Sequence, residues 1–157
     1  MLDYKDILTK RYVLRLSLRE IAEQTGAGKS YERWYVGGHS LGGLVAAKYA
    51  AKNAERINGV VLLASYPRET LPEPLSLLCC YGSNDGCLDR DRYEASRKNW
   101  PADSEELIID GGNHAGFGNY GKQRGDRATD CTPGEQQRSA AEAIARFTDA
   151  DETAISR

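Results

Sequence analysis

From about residue 34 onward the chain alternates short apolar runs with stretches of helical periodicity. Trp34, Tyr35 and Val36 form a β-prone run that ends in Gly37-Gly38. Leu41 to Lys52 reads as a helix with Leu44, Val45, Ala47 and Tyr49 on its packing face. Gly59-Val60-Val61-Leu62-Leu63-Ala64 is continuously apolar, the pattern of a strand buried on both faces of a parallel sheet. Leu75 to Tyr81 and Leu107 to Asp110 read the same way. Between them, Asp91 to Trp100 predicts a polar helix stopped by Pro101. A loop rich in glycine and polar residues runs from Gly111 to Asp130. Thr132-Pro133-Gly134-Glu135 then opens a last helix with a capping Thr, a Pro at the first helical position and a Glu three residues after the cap. Ile144 and Phe147 lie on its apolar face. Strands alternating with helices predict the α/β class, a parallel sheet with flanking helices.

The first thirty residues follow another rhythm. Residues 4–13 predict a helix with Tyr4, Ile7, Leu8, Tyr12 and Leu16 along one side. Ser17-Leu18-Arg19-Glu20 has capping-box spacing, so a second helix is expected from Leu18 until Gly26 ends it. Helix, short turn, helix is the opening of a helix-turn-helix. Residues 1–30 carry a net charge of +2 and the remainder −4, a sign change that fits a composite chain.

At 157 residues the chain has the length of one domain or a domain with a short appendage. Its 21 basic and 23 acidic residues nearly balance, so charge does not imply a nucleic-acid partner. No segment approaches the ~20 apolar residues of a membrane span, and the start lacks the pattern of a signal peptide. The cysteines are Cys79, Cys80, Cys87 and Cys131, with no Cys-x-x-Cys pair, and there are two histidines. That set argues against a zinc site and for reduced thiols in a cytoplasm. Nothing in the sequence argues for a Cys87–Cys131 bridge.

Gly38-His39-Ser40-Leu41-Gly42-Gly43 sits between the first β-prone run and the first helix after it. Gly-x-Ser-x-Gly in that place is a nucleophile elbow, a sharp turn that lifts the serine oxygen clear of strand and helix. Gly38 and Gly42 are expected to be glycine for steric reasons, and the Leu41 N–H to point at a developing oxyanion. Serine needs a base. His39 adjoins Ser40 in the chain and is expected to frame the elbow from beneath. His114 follows an apolar strand, in Gly111-Gly112-Asn113-His114, where α/β sites form. The acid should follow an intermediate strand. Asp85, in Tyr81-Gly82-Ser83-Asn84-Asp85-Gly86, does so, with Asp89 and Asp110 as competitors. Ser40, Asp85 and His114 then stand in the serine–acid–histidine order of this fold.

Residues Trp34–Pro67 and Leu77–Ala115 resemble the C-terminal part of an α/β-hydrolase, nearest to the small bacterial family 5 of that fold. The likeness rests on Gly38-His39-Ser40-Leu41-Gly42-Gly43, on Val61-Leu62-Leu63-Ala64-Ser65-Tyr66-Pro67 and on Tyr81-Gly82-Ser83-Asn84-Asp85-Gly86. It rests most of all on Gly111-Gly112-Asn113-His114-Ala115-Gly116-Phe117-Gly118-Asn119-Tyr120-Gly121. The resemblance implies Ser40 as nucleophile, Asp85 as acid, His114 as base and the Leu41 N–H as one oxyanion donor. It also implies ester or related acyl substrates and no cofactor.

Met1–Ser30 resembles the N-terminal helix-turn-helix of insertion-sequence transposases, notably in Leu16-Ser17-Leu18-Arg19-Glu20-Ile21-Ala22-Glu23-Gln24-Thr25-Gly26. The expected organisation is therefore a helix-turn-helix-like segment over 1–30 and a partial α/β-hydrolase domain over 31–157, joined near Ser30–Tyr31. The helix that would read DNA is cut short at Gly28-Lys29-Ser30, which argues against DNA binding. Earlier hydrolase strands and the loop carrying a second oxyanion donor are expected to be missing, and losing one such donor costs about 10²–10³ in rate. The Trp34–Val36 strand, central in the family, would then expose an edge through which the chain could associate with itself. The leading expectation is a serine hydrolase of carboxylesters or similar acyl compounds, impaired by that loss. The alternatives are a DNA-binding transposase-derived fusion product or a non-catalytic fragment.

Overall fold

Among the described residues, four strands lie side by side in chain order, and every neighbouring pair is parallel. They are β1 (Tyr35–His39), β2 (Gly59–Leu63), β3 (Ser76–Gly82) and β4 (Ser104–Ile109). The computed structural model describes residues 33–154. Helices α1 (Leu41–Lys52), α2 (Arg90–Ala95) and α3 (Pro133–Ala154) connect and flank the strands, with 3₁₀ turns at Ser96–Asn99 and Ala115–Phe117. The helical segment expected over 1–30 lies outside the described residues.

The continuous apolar runs of β2 and β3 are explained by burial on both sides. Val60, Leu62, Leu77, Cys79 and Tyr81 face a core completed by Ala47 and Ala50 of α1 and Tyr93 of α2. Val61, Leu78 and Cys80 face the opposite layer, where Ala143 and Phe147 of α3 cover them. All four cysteines are free thiols. Burial pushes the Cys79 thiol far above its ordinary range and Cys80 up to about 12, so both behave as apolar core groups.

Two expectations change. The packing face of α1 is Gly43, Ala46, Ala47 and Ala50, while Val45 and Tyr49 point outward. Residues this small let the helix lie close on the sheet, which the larger side chains would hold off. β4 is not buried on both faces either. It begins at Ser104, three residues before the apolar run, and Ile108 is 49% exposed. As the last strand of the sheet it has Glu105 and Glu106 exposed, and Glu106 accepts hydrogen bonds from the Tyr93 hydroxyl at 2.7 Å and from Arg97 at 2.8 Å.

The last helix opens as its residues require. Thr132 Oγ1 accepts from the Glu135 N–H at 3.2 Å, and the Glu135 carboxylate accepts from the Thr132 N–H at 2.8 Å, a reciprocal capping box.

Leu77 is fully buried between the strands and α1. Leu77→Ala is expected to lower stability by about 2–5 kcal/mol. Ile108→Ala, on the exposed side of β4, should cost within ~1 kcal/mol. Urea unfolding of the two variants measures both.

Candidate active site

β1 ends in His39, and the chain reverses sharply into α1 through Ser40. Ser40 has φ 53° and ψ −121°, a backbone conformation that an L-residue holds only under constraint from its surroundings. The constraint is visible: the Ser40 N–H donates to the Leu63 carbonyl at 2.9 Å. The Ser40 carbonyl accepts from Gly43 N–H at 3.0 Å and Ser65 Oγ at 2.9 Å. Ala64, at the end of β2, is also held at positive φ, 49°. Leu41 begins α1, so its N–H belongs to the first turn, whose donors have no acceptor within the helix.

The glycine expectation needs correction at one position. A side chain on Gly38 would sit 2.4 Å from the backbone of Gly42, and one on Gly43 would strike Ser65 at 2.5 Å. A Cβ on Gly42 would meet nothing within 4 Å among the described residues. The elbow is tight because the backbone of Gly42 packs on Gly38, while no described residue stands in the side-chain direction of Gly42.

Asp85 and His114 come from the loops after β3 and β4. Gly82 allows these loops to touch, since a Cβ there would lie 2.2 Å from Gly112. The Asn84 N–H donates to the Gly112 carbonyl at 2.8 Å, and the Ser83 N–H to the Ile109 carbonyl at 2.9 Å. The side chain of Asp85 is fully buried. Its Oδ1 accepts the Cys87 and Leu88 N–H groups, each at 2.8 Å, and its Oδ2 lies 2.8 Å from His114 Nδ1. A buried carboxylate with three hydrogen bonds on it is well satisfied. With Oδ1 taken by two backbone donors, the ring of His114 is the donor to Oδ2, which leaves its Nε2 unprotonated in the neutral ring.

A cleft of about 190 Å³ is lined by Ser40, Leu41, Leu44, Ala64, Ser65, Tyr66, Cys87, Leu88, Asp89 and His114. It therefore brings together the serine, the histidine and the helix start that the sequence singled out. A larger trough of about 350 Å³ runs along α1 past Leu41, Leu44, Val45 and Ala47 to Lys48, Arg68 and Glu69. It shares Leu41 and Leu44 with the cleft, but neither Ser40 nor His114 lines it.

The competitors have other work. Asp89 caps α2 by accepting from the Arg92 N–H at 3.0 Å, and Asp110 is exposed and accepts from Ser83 Oγ at 3.3 Å. His39 frames the site from the β1 side. Its Nε2 lies 3.0 Å from the His114 carbonyl, its ring centroid is 4.6 Å from that of His114, and it stacks on Tyr120 at 5.2 Å. Burial, then the neighbouring His114, lowers the pKa of His39 below the ordinary histidine range. Asp85, Cys87 and His114 each offer a donor atom within 4.8 Å of the others, of types that a zinc ion accepts. Both oxygens of Asp85 are already hydrogen-bonded, so this set suits an acid–base pair better than a cation.

Two residues near His114 carried no signal in the sequence. Gln136 of α3 is fully buried and clamps Asn113, its Oε1 accepting the Asn113 N–H at 3.0 Å and its Nε2 donating to the Asn113 carbonyl at 2.7 Å. Asp126 gathers backbone N–H groups from Gly86, His114, Ala115 and Arg127. Burial alone would raise the Asp126 carboxyl, but these four donors outweigh it and hold it below the usual carboxylate range.

Gly38→Ala is expected to destabilise the fold by ~3 kcal/mol or more, and Gly42→Ala to change it by less than ~1 kcal/mol. Thermal or urea unfolding compares them. For His39, the folded pKa lies below the unfolded one, so the unfolded chain takes up the proton first. Its effect on stability is nil above the ordinary value of 6.5, and stability falls as pH drops from there through the lowered folded value. His39→Asn should flatten that decline in unfolding measurements between about pH 5 and 8.

Comparison with known proteins agrees with this architecture. Among curated proteins, none matches the chain. A crystal structure of an alpha/beta hydrolase enzyme from the metagenome of sediments of the lagoon of Mar Chica, Morocco, aligns over 85% of this chain and 68% of its own. The TM-score is 0.51 and the identity 18%, a likeness of fold. The alpha/beta hydrolase family model matches residues 11–139, a span that reaches into the segment expected to be helix-turn-helix. The chain belongs to the alpha/beta hydrolase family.

Proposed function

We propose that this protein is a serine hydrolase of carboxylesters or similar acyl compounds, with Ser40 as nucleophile, His114 as base and Asp85 as the acid that orients it. The observation that carries this reading is the 2.8 Å contact between His114 Nδ1 and the buried Asp85 carboxylate, in a cleft that Ser40 also lines. The family supports the chemistry at a coarser level.

In this mechanism Ser40 Oγ attacks the acyl carbon and its proton passes to His114 Nε2. The Asp85 carboxylate stabilises the imidazolium that forms. The Leu41 N–H, aided by the helix dipole of α1, stabilises negative charge on the carbonyl oxygen. The imidazolium then protonates the departing alcohol, leaving an acyl group on Ser40. Water, deprotonated by His114, attacks that acyl group; the bond from the acyl carbon to Ser40 Oγ breaks, His114 returns the proton to Oγ, and the acid leaves. No cofactor takes part. The apolar wall of Leu41 and Leu44 beside the nucleophile suits the hydrocarbon part of an ester.

A fluorophosphonate probe tests the reading directly. Ser40 is expected to be labelled in the folded chain and Ser40→Ala not at all. Asp85→Asn should slow labelling and ester hydrolysis about 10⁴-fold, because the ring loses the partner that sets its tautomer. Folded wild-type protein that leaves the probe unreacted overturns the proposal.

A further inference from the structure

One carboxylate joins the two loops that hold the candidate acid and base. Asp126 Oδ1 accepts the Gly86 N–H at 3.1 Å, from the residue after Asp85, and the His114 N–H at 3.2 Å. The same oxygen accepts from its neighbour Arg127 at 2.9 Å, and Oδ2 accepts the Ala115 N–H at 2.9 Å. Asp85 and His114 are themselves joined only through their side chains, across two separate loops. A charged acceptor facing backbone donors makes the stronger kind of hydrogen bond.

We propose that Asp126 is a positioning residue, whose carboxylate fixes the Gly86 and His114–Ala115 backbones at one separation and so sets the Asp85–His114 side-chain contact. This rests on the serine-hydrolase reading for its effect on turnover, and on geometry alone for the clamp. Both oxygens are required. The Gly86 and His114 donors converge on Oδ1 while Ala115 needs Oδ2. An amide in place of the carboxylate would turn an NH₂ group toward one set of N–H donors. The residue's place in the long loop before α3 explains why that loop folds back over the site.

The test uses the full chain and two readouts. In amide hydrogen exchange followed by NMR, Gly86, His114 and Ala115 are expected to be protected in wild type. In Asp126→Asn they should exchange about tenfold to hundredfold faster, with the amides of β3 unchanged. With p-nitrophenyl acetate as probe substrate, Asp126→Asn should lose about 100-fold in kcat, with KM within about threefold. Asp126→Glu, which keeps the charge, should recover part of it. Asp91→Asn, an exposed carboxylate on α2, should leave both readouts at wild-type values. Unprotected amides in wild type, or unchanged exchange in Asp126→Asn, overturns the clamp. Faster exchange with unchanged kcat overturns the positioning role. Wild type that is protected at these amides but inert toward both the ester and a fluorophosphonate overturns the serine-hydrolase reading while upholding the clamp. If Asp126→Asn does not fold, Asp126→Glu carries the comparison, with amide exchange and kcat both shifted from wild type in the same direction but by less than about tenfold.

Discussion

The site depends on how closely β3 and β4 deliver their following loops to one another. The two strands run parallel, with Gly82 opposite Ile109, so both loops emerge at the same end of the sheet. Gly82 then meets Gly112 at a distance that leaves room for no side chain. That approach lets Asp85 and His114, 29 residues apart, share a hydrogen bond of 2.8 Å in a buried setting. A side chain at Gly82 would part the loops, and Asp85 would lose its contact with His114. The elbow meets them from β1, whose register with β2 places His39 beside Leu63 and lets Ser40 turn on the Leu63 carbonyl.

Burial makes the pairing demanding. A carboxylate withdrawn from water is costly unless its oxygens are occupied. Asp85 meets that demand with two backbone N–H groups and the imidazole, and the half-buried Asp126 is held by four backbone N–H groups. Around His114 the constraints accumulate: Gln136 holds Asn113, Asp126 holds the His114 and Ala115 amides, and His39 reaches the His114 carbonyl. They fix the backbone that carries the ring, and the Asp85 contact orients the ring itself. Preorganised geometry of this kind is what acyl transfer requires of a base.

Local patterns made much of this legible. The limits of α1 could be read from Leu41 to Lys52, and the cap of α3 from Thr132, Pro133 and Glu135, because periodicity and capping involve neighbours in the chain. The buried strands showed themselves as continuous apolar runs for the same reason. The candidate residues Ser40, Asp85 and His114 were singled out by their positions after strands, and Asp85 and His114 do meet. Which face of α1 packs was not legible, because its inward residues are alanine and glycine while the larger apolar ones face out. The early start of β4 was hidden by Glu105 and Glu106, polar residues that an end strand tolerates. Asp126 and Gln136 left no trace, since their partners are backbone amides of residues up to 40 positions away and any residue supplies such an amide.

The account stands on Asp85 and His114 forming one buried acid–base unit, and proton NMR of the imidazole N–H in water addresses that unit without relying on turnover. A ring proton held between His114 Nδ1 and the Asp85 carboxylate should appear far downfield of the amide region. It should vanish in Asp85→Ala and in His114→Gln and survive in His39→Asn. A wild-type spectrum without such a resonance, or one that persists in Asp85→Ala, would contradict the account.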